Sequence, residues 1–298
     1  MKGKKQINYV KDEYIGRALV TFCGLLIVLT TLAIIIFICQ KGIQSFFQSG
    51  VSLSQMLTSL EWGPNATVPK YGALIFIVGS TAVSIGAAII AAPIGIALAV
   101  FMNYISPKFG SKVLQPVLEL LVGIPSVVYG LLGVTILIPL LRQLYGGVGF
   151  SLIAGIIVLS IMILPTIASI ASDAVRVVPF EFLEASYGLG STKWQAISRV
   201  IVPAAKTGIL TGVVLGLARA FGEALAVQMV IGNTIKLPSG LYSPTSTLTG
   251  ILTMDMANTL NGTAWNNALW SLAMILLVIS FIFILIVRAI GQRGGQKQ

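Results

Sequence analysis

The stretch Glu184–Pro203, EASYGLGSTKWQAISRVIVP, decides how this chain is read. It carries charged residues, two closely spaced glycines and a closing proline, and it lies between two strongly apolar segments. Local signals give it structure. Pro179 followed by Phe180 and Glu181 suits a helix start, with proline in the first turn and an acid at the positive end of the helix dipole. That helix is expected to run to Tyr187 and stop at Gly188, whose missing Cβ admits a left-handed cap, with Leu189 and Gly190 completing an elbow. A second start follows, because Thr192 and Gln195 stand at capping-box spacing. Trp194, Ile197 and Ile201 then share one face, with Lys193 and Arg199 off it. Pro203 ends this second helix or bends it into the next segment. A mere connection needs neither two capped helices nor an apolar stripe.

The surroundings are membrane material. The 298 residues are 56% hydrophobic and 9% charged, with a mean hydropathy of +0.95. A soluble domain of this length has no core large enough for so much apolar surface, so lipid must be the solvent for most of it. Six runs reach the roughly 20 residues needed to cross a bilayer as a helix. They are Ala18–Cys39, Ala73–Val100, Val113–Leu141, Val148–Ala171, Gly208–Ile231 and Ala268–Val287. Their lengths argue against barrel strands, which are about half as long and alternate in polarity. The expected fold is an all-α integral membrane protein with about six transmembrane helices in one domain, 1–298. An N-terminal helix at 18–39 precedes a core at 71–287, which contains the segment 172–207. Two outer loops are expected at 40–72, with a short surface helix, and at 233–265, without strong periodicity. The first run is too long for a signal-peptide h-region and reads as a retained helix.

Lys and Arg set the orientation. With the N-terminus inside, fourteen of them fall on the cytoplasmic side and four outside, while Arg219 lies within a span. Both termini and Glu184–Pro203 are therefore expected in the cytoplasm. The net charge of +10 is mostly this topology signal. Its basic residues are scattered over loops without interleaved aromatics, which argues against nucleic acid as a partner. The chain has no histidine, which removes most zinc sites, Ser-His-Asp triads and histidine proton relays. Cys23 and Cys39 both lie in the first span and read as small buried hydrophobes.

Glu184-Ala185-Ser186, then Gly190, then Val200 and Val202-Pro203 resembles the EAA loop of ABC importer permeases. The family pattern is E-A-A, three residues, G, nine residues, I-x-L-P; Ser186, Val200 and Val202 are the departures. The resemblance implies the type-I ABC importer permease fold and a coupling helix that inserts into a cleft of a separate ABC ATPase dimer. It also implies that Glu184, Ala185, Ser186, Gly188, Gly190 and Pro203 serve that coupling. No G-x-x-x-x-G-K-[ST] cradle occurs in the sequence. ATP and Mg are accordingly expected on the partner ATPase, with no cofactor and no enzymatic activity in this chain.

Further stretches are similar to one branch, the C-type permease subunits of phosphate importers. They are Glu61-Trp62-x-Pro64, Tyr71–Leu74, Gly123–Gly130, Arg219–Glu223 and Ala226–Asn233. This resemblance covers roughly Leu60 to Asn233. It implies a heterodimer with an A-type second permease subunit, an extracellular phosphate-binding protein, inorganic phosphate as cargo and a multi-pass place in the bacterial cell membrane.

Glu119, Arg219 and Glu223 are the ionisable residues inside the expected spans, where each costs about 2.5–3.5 kcal/mol unless paired or wetted. On a continuous helix, Arg219 and Glu223 share a face one turn apart. Two readings follow. The pair neutralises itself and locks helices together, or Arg219 faces the path and meets a passing anion while Glu223 limits its grip. A guanidinium fork matches phosphate oxygen spacing and keeps its charge. The expected substrate path comprises Arg219, Glu223, Glu119 and Ser126, the last beside the helix-opening Pro125. For Ser126, as for Ser80, Thr81 and Ser84, interhelical packing is the competing role. Other solutes of type-I importers (sulfate, molybdate, organic molecules) remain alternatives to phosphate, as does a secondary transporter. A membrane enzyme lacks visible machinery.

Overall fold

The computed structural model describes residues 2–48, 50 and 52–293. α1 (Lys2–Gln48) and α2 (Leu53–Thr58) lead to an antiparallel hairpin of β1 (Trp62–Gly63) and β2 (Lys70–Tyr71), in which Trp62 pairs with Tyr71. α3 (Leu74–Val100) continues through a π turn, α4 (Pro107–Phe109) and a second π turn into α5 (Gln115–Gly123). α6 (Ser126–Leu132) and α7 (Ile138–Tyr145) are joined by a third π turn, and α8 (Leu152–Arg176) follows. α9 (Glu181–Gly188) and α10 (Lys193–Ala196) precede a fourth, Ile197–Ile201. The chain then forms α11 (Val202–Ala204), α12 (Lys206–Gly222), α13 (Leu225–Ile231), α14 (Leu248–Asp255) and α15 (Ala264–Arg293).

Among the described residues, five helices are long and apolar enough to cross a membrane: Tyr14–Phe47, Leu74–Ile105, Ser126–Tyr145, Leu152–Arg176 and Ala264–Ala289. A sixth is counted when Lys193–Ala204 and Lys206–Gly222, which meet at 68°, are taken as one bent span. The protein is an all-α, multi-pass membrane protein.

Two of the expected spans are broken. The run Val113–Leu141 divides at Ile124 and Pro125, both extended (ψ 127° and 139°). The residue before a proline is pushed out of the helical region, so α5 stops at Gly123. The Tyr129 hydroxyl bridges the gap by donating to the Leu121 carbonyl at 2.8 Å. The run Gly208–Ile231 divides at Glu223, which is extended (φ −76°, ψ 123°) between α12 and α13.

α3, α8 and α12 form the centre. Val83, Ala87 and Ala91 meet Leu159, Ile163 and Ile167, with Ala220 closing from α12. Helix association in lipid rests on van der Waals contact and small residues. Accordingly, a Cβ on Gly216 would stand 2.5 Å from Ile167 Cγ1. α1 lies against α15, where the Ser271 hydroxyl donates to the Gly42 carbonyl at 2.6 Å.

Within the segment 233–265, without periodicity in sequence, residues 245–251 are buried against the bundle. Thr247 caps α14 by accepting from Gly250 N at 3.1 Å, and Ser80 of α3 accepts from Leu248 N at 2.8 Å. Gly79 admits the approach: a Cβ there would lie 2.0 Å from the Ser246 carbonyl oxygen. Thr245, Ser246 and Thr247 are buried by this docking.

Candidate functional site

The loop between α8 and α12 is built as two short helices around a tight elbow. The left-handed residue is Gly190 (φ +80°), while Gly188 remains the last residue of α9. This corrects the expectation that Gly188 supplies the left-handed cap. Leu189 N donates to Ala185 O and Gly190 N to Tyr187 O, which satisfies the end of α9. The Ser186 and Ser191 hydroxyls lie 2.6 Å apart, and Ser191 also donates to the Ser186 carbonyl at 2.8 Å. Ser186, a departure from the family pattern, thus fastens the elbow from inside.

The Thr192–Gln195 capping box is formed in both directions. Gln195 N donates to Thr192 Oγ1 at 3.3 Å, and Thr192 N donates to Gln195 Oε1 at 2.9 Å. Ala196, Ile197 and Ile201 are buried, but Trp194 is 65% exposed and stands outside the stripe the sequence placed it in. Leu183 and Ser186 are likewise buried, whereas Glu184, Ala185, Gly188 and Gly190 are exposed and Leu189 is 90% exposed. The elbow therefore presents an outward surface with a rigid inner face. Pro203 sits in the first turn of α11, and the chain turns through 68° at Ala205 to enter α12.

The intramembrane charges are arranged differently from expectation. Because α12 ends at Gly222, Arg219 and Glu223 do not share a helical face. The Glu223 carboxylate turns to the next helix and accepts from Ala226 N at 3.0 Å, while its carbonyl accepts from the Thr249 hydroxyl at 2.9 Å. Arg219 is half-buried, and its Nη1 donates to Thr166 Oγ1 of α8 at 2.9 Å. Among the described residues the only ion pair is Lys70–Glu61, so Arg219 has no carboxylate partner there. Ser126 opens α6 directly after the Ile124–Pro125 break. Glu119 lies exposed on the nine-residue α5, which ends at the Ile124–Pro125 break, and accepts from Gln115 Nε2 at 3.2 Å.

Thr166, Thr249, Gln228 and Thr253 were not singled out by sequence. Thr253 donates to Gln228 Oε1 at 2.7 Å and so joins α14 to α13. Thr166 follows Pro165, the only local signal that pointed to it. At the end of α14, burial holds the Asp255 carboxyl above its usual range; the indole N–H groups of Trp62 and Trp265 pull it the other way. Trp265 faces it without closing a hydrogen bond.

Residues 91–294 match the family described as "Binding-protein-dependent transport system inner membrane component". The chain belongs to that family. As such it is a permease component of an importer, not a catalytic subunit. It is similar to the "Probable ABC transporter permease protein YqgH" of Bacillus subtilis, at 56% identity over 96% of this chain and 93% of that one. The "Phosphate transport system permease protein PstC" of Pasteurella multocida is 32% identical over 98% of this permease and 96% of its own length. Among solved structures, a bacterial ABC transporter involved in alginate import matches with a TM-score of 0.64 at 17% identity, covering 94% of this chain and 98% of that one. The MetNI methionine transporter matches at 0.54 and 22%, over 73% and 97%. These two show the type-I importer fold alone.

Proposed function

We propose that this permease is the C-type half of the membrane channel of an ATP-driven inorganic phosphate importer. One observation carries the cargo: Arg219 has no carboxylate partner among the described residues and keeps all but one of its guanidinium N–H donors unengaged. An unneutralised guanidinium within the membrane costs about 2.5–3.5 kcal/mol, a cost an anion offsets on arrival. Phosphate presents oxygens at the spacing the fork accepts in pairs. The similarity to phosphate transport permeases supports the same cargo.

The remaining assembly follows from the family. A second, A-type permease subunit completes the path, an external phosphate-binding protein delivers the anion, and two ATPase subunits hold ATP and Mg. The exposed surface around Glu184, Ala185 and Leu189 is the docking element for the ATPase. The fourteen-to-four distribution of Lys and Arg supports placing that surface and both termini in the cytoplasm. Closure of the ATPase pair would rotate the loop and α12 together, carrying Arg219 from outward to inward access.

The test is uptake of labelled phosphate by the reconstituted importer, with sulfate and molybdate as competitors. Arg219→Gln is expected to abolish most uptake with unchanged expression. Near-normal phosphate transport by that variant, or stronger competition by sulfate than by phosphate itself, sinks the assignment.

A further inference from the structure

We propose a second anion site, distinct from Arg219, in the cavity between the membrane bundle and the coupling loop, taking a phosphoryl-type oxyanion. The cavity measures ≈ 530 Å³ and is lined by Arg176 from the end of α8, Tyr187 from α9 and Lys193 from α10, with Asn103 and Tyr104 behind. Two cations line it and no carboxylate does.

Neither cation forms an ion pair among the described residues. Asp173 stands one turn before Arg176, within ordinary helical reach, yet the two do not pair. Asp173 instead lines the neighbouring cavities, and Arg176 stands on the wall between one of those and this one.

Donor accounting selects the ligand. The Asn103 amide is spent on the Ala99 carbonyl at 2.8 Å and on Ser172 Oγ at 2.7 Å, and the Tyr104 hydroxyl points to the Val175 carbonyl at 3.4 Å. These two form a fixed wall. Arg176, Lys193 and the Tyr187 hydroxyl remain as donors. A tetrahedral oxyanion takes several donors at once and is gripped by a guanidinium fork beside a compact ammonium. The floor is apolar and firm, since Leu183 packs with Ala99, Val175 and Ile201 in one buried cluster.

The cavity's position gives occupancy a consequence. Arg176 belongs to the bundle, whereas Lys193 lies beyond the Gly190 elbow on the second coupling helix. One anion held by both restrains the elbow against the bundle, so occupancy slows the loop's movement. The phosphoryl group can be free phosphate or a lipid headgroup at the membrane surface. Binding here is independent of which solute is carried.

The experiment uses the full chain in lipid nanodiscs, titrated with radiolabelled inorganic phosphate, with and without phosphatidylglycerol. Saturable binding is expected, weakened at least about tenfold in Arg176→Gln/Lys193→Gln, because charge-assisted contacts are the strong ones. Lys193→Gln alone, at a surface position, gives the same direction should the double variant not stay monodisperse. Phosphate binding unaffected by phosphatidylglycerol assigns the site to the free anion. Competition by phosphatidylglycerol that the double variant relieves assigns it to a headgroup. Equal binding by wild type and both variants overturns the site. So does binding lost in Arg219→Gln but kept in Arg176→Gln/Lys193→Gln, an outcome that leaves the transport path standing.

Discussion

Thr166→Val is the most discriminating single change. Valine keeps the branched shape but replaces the hydroxyl with a methyl, so Arg219 Nη1 loses an acceptor held at 2.9 Å. Hydrogen bonds to charged groups contribute about 1.5–3 kcal/mol, and about 1.4 kcal/mol is a factor of ten. The guanidinium is half-buried, so water can replace part of the lost bond and the lower end applies. A fall of roughly tenfold in the kcat/KM for phosphate uptake is therefore expected. Thr166→Ser restores the acceptor and should transport within about fourfold of wild type, the size of a lost methyl contact at about 0.8 kcal/mol. The assay is initial-rate uptake in proteoliposomes carrying the partner subunits, with thermal unfolding of each variant as a folding control. Wild-type uptake by Thr166→Val refutes the idea that this bond orients Arg219 for transport. So does Thr166→Ser being as impaired as Thr166→Val, since the methyl would then be what matters.

Three further outcomes are expected. Gly79→Ala places a Cβ 2.0 Å from a backbone carbonyl of the docked 245–250 segment, so the purified protein should lose about 1–3 kcal/mol of stability; an unchanged melting temperature would contradict that packing. Thr192→Ala should cost about 1 kcal/mol locally and speed amide exchange in α10, and adding Gln195→Ala should cost less than the sum of the two, because both serve one box. Asp255 has its pKa raised by burial, so the folded chain binds that proton more tightly than the unfolded one. Its contribution is most favourable below the unfolded value of 3.8, falls as pH rises through the folded value and stays lower at neutral pH. Asp255→Asn should accordingly raise the melting temperature at neutral pH and leave it unchanged in strong acid; a lower melting temperature at neutral pH would reverse the sign.

What was legible in the sequence is what local chemistry determines. The Thr192–Gln195 box needs only residues three apart, and it formed as the spacing demanded. Long apolar runs identified the membrane helices because lipid imposes a length. Gly188 and Gly190 are both glycines, and either can take a left-handed turn. The choice of Gly190 follows from the Ser186–Ser191 contact, which ties the loop five residues apart. Trp194 failed the stripe because the buried face begins at Ala196, where the second helix first reaches α8 and α9. Periodicity shows which residues align but not where along a helix a neighbour begins.

The break at Glu223 is the deeper case. Pro125 announces the division of the third run, whereas Gly222-Glu223-Ala224 contains no proline and reads as continuous helix. Tertiary partners hold it open: Thr249 donates to the Glu223 carbonyl, and the Glu223 carboxylate accepts from Ala226 N in the first turn of α13. Thr249 lies 26 residues away on a segment whose docking depends on Gly79 and Ser80, so no local window contains the cause. The consequence is electrostatic. On an unbroken helix the carboxylate would sit one turn from Arg219 and neutralise it. With the break, Glu223 is committed to α13 and Arg219 is steadied by a neutral hydroxyl. A cation held by a neutral group keeps its full charge for the anion proposed above, and the extended residue at 223 is what leaves Arg219 unneutralised.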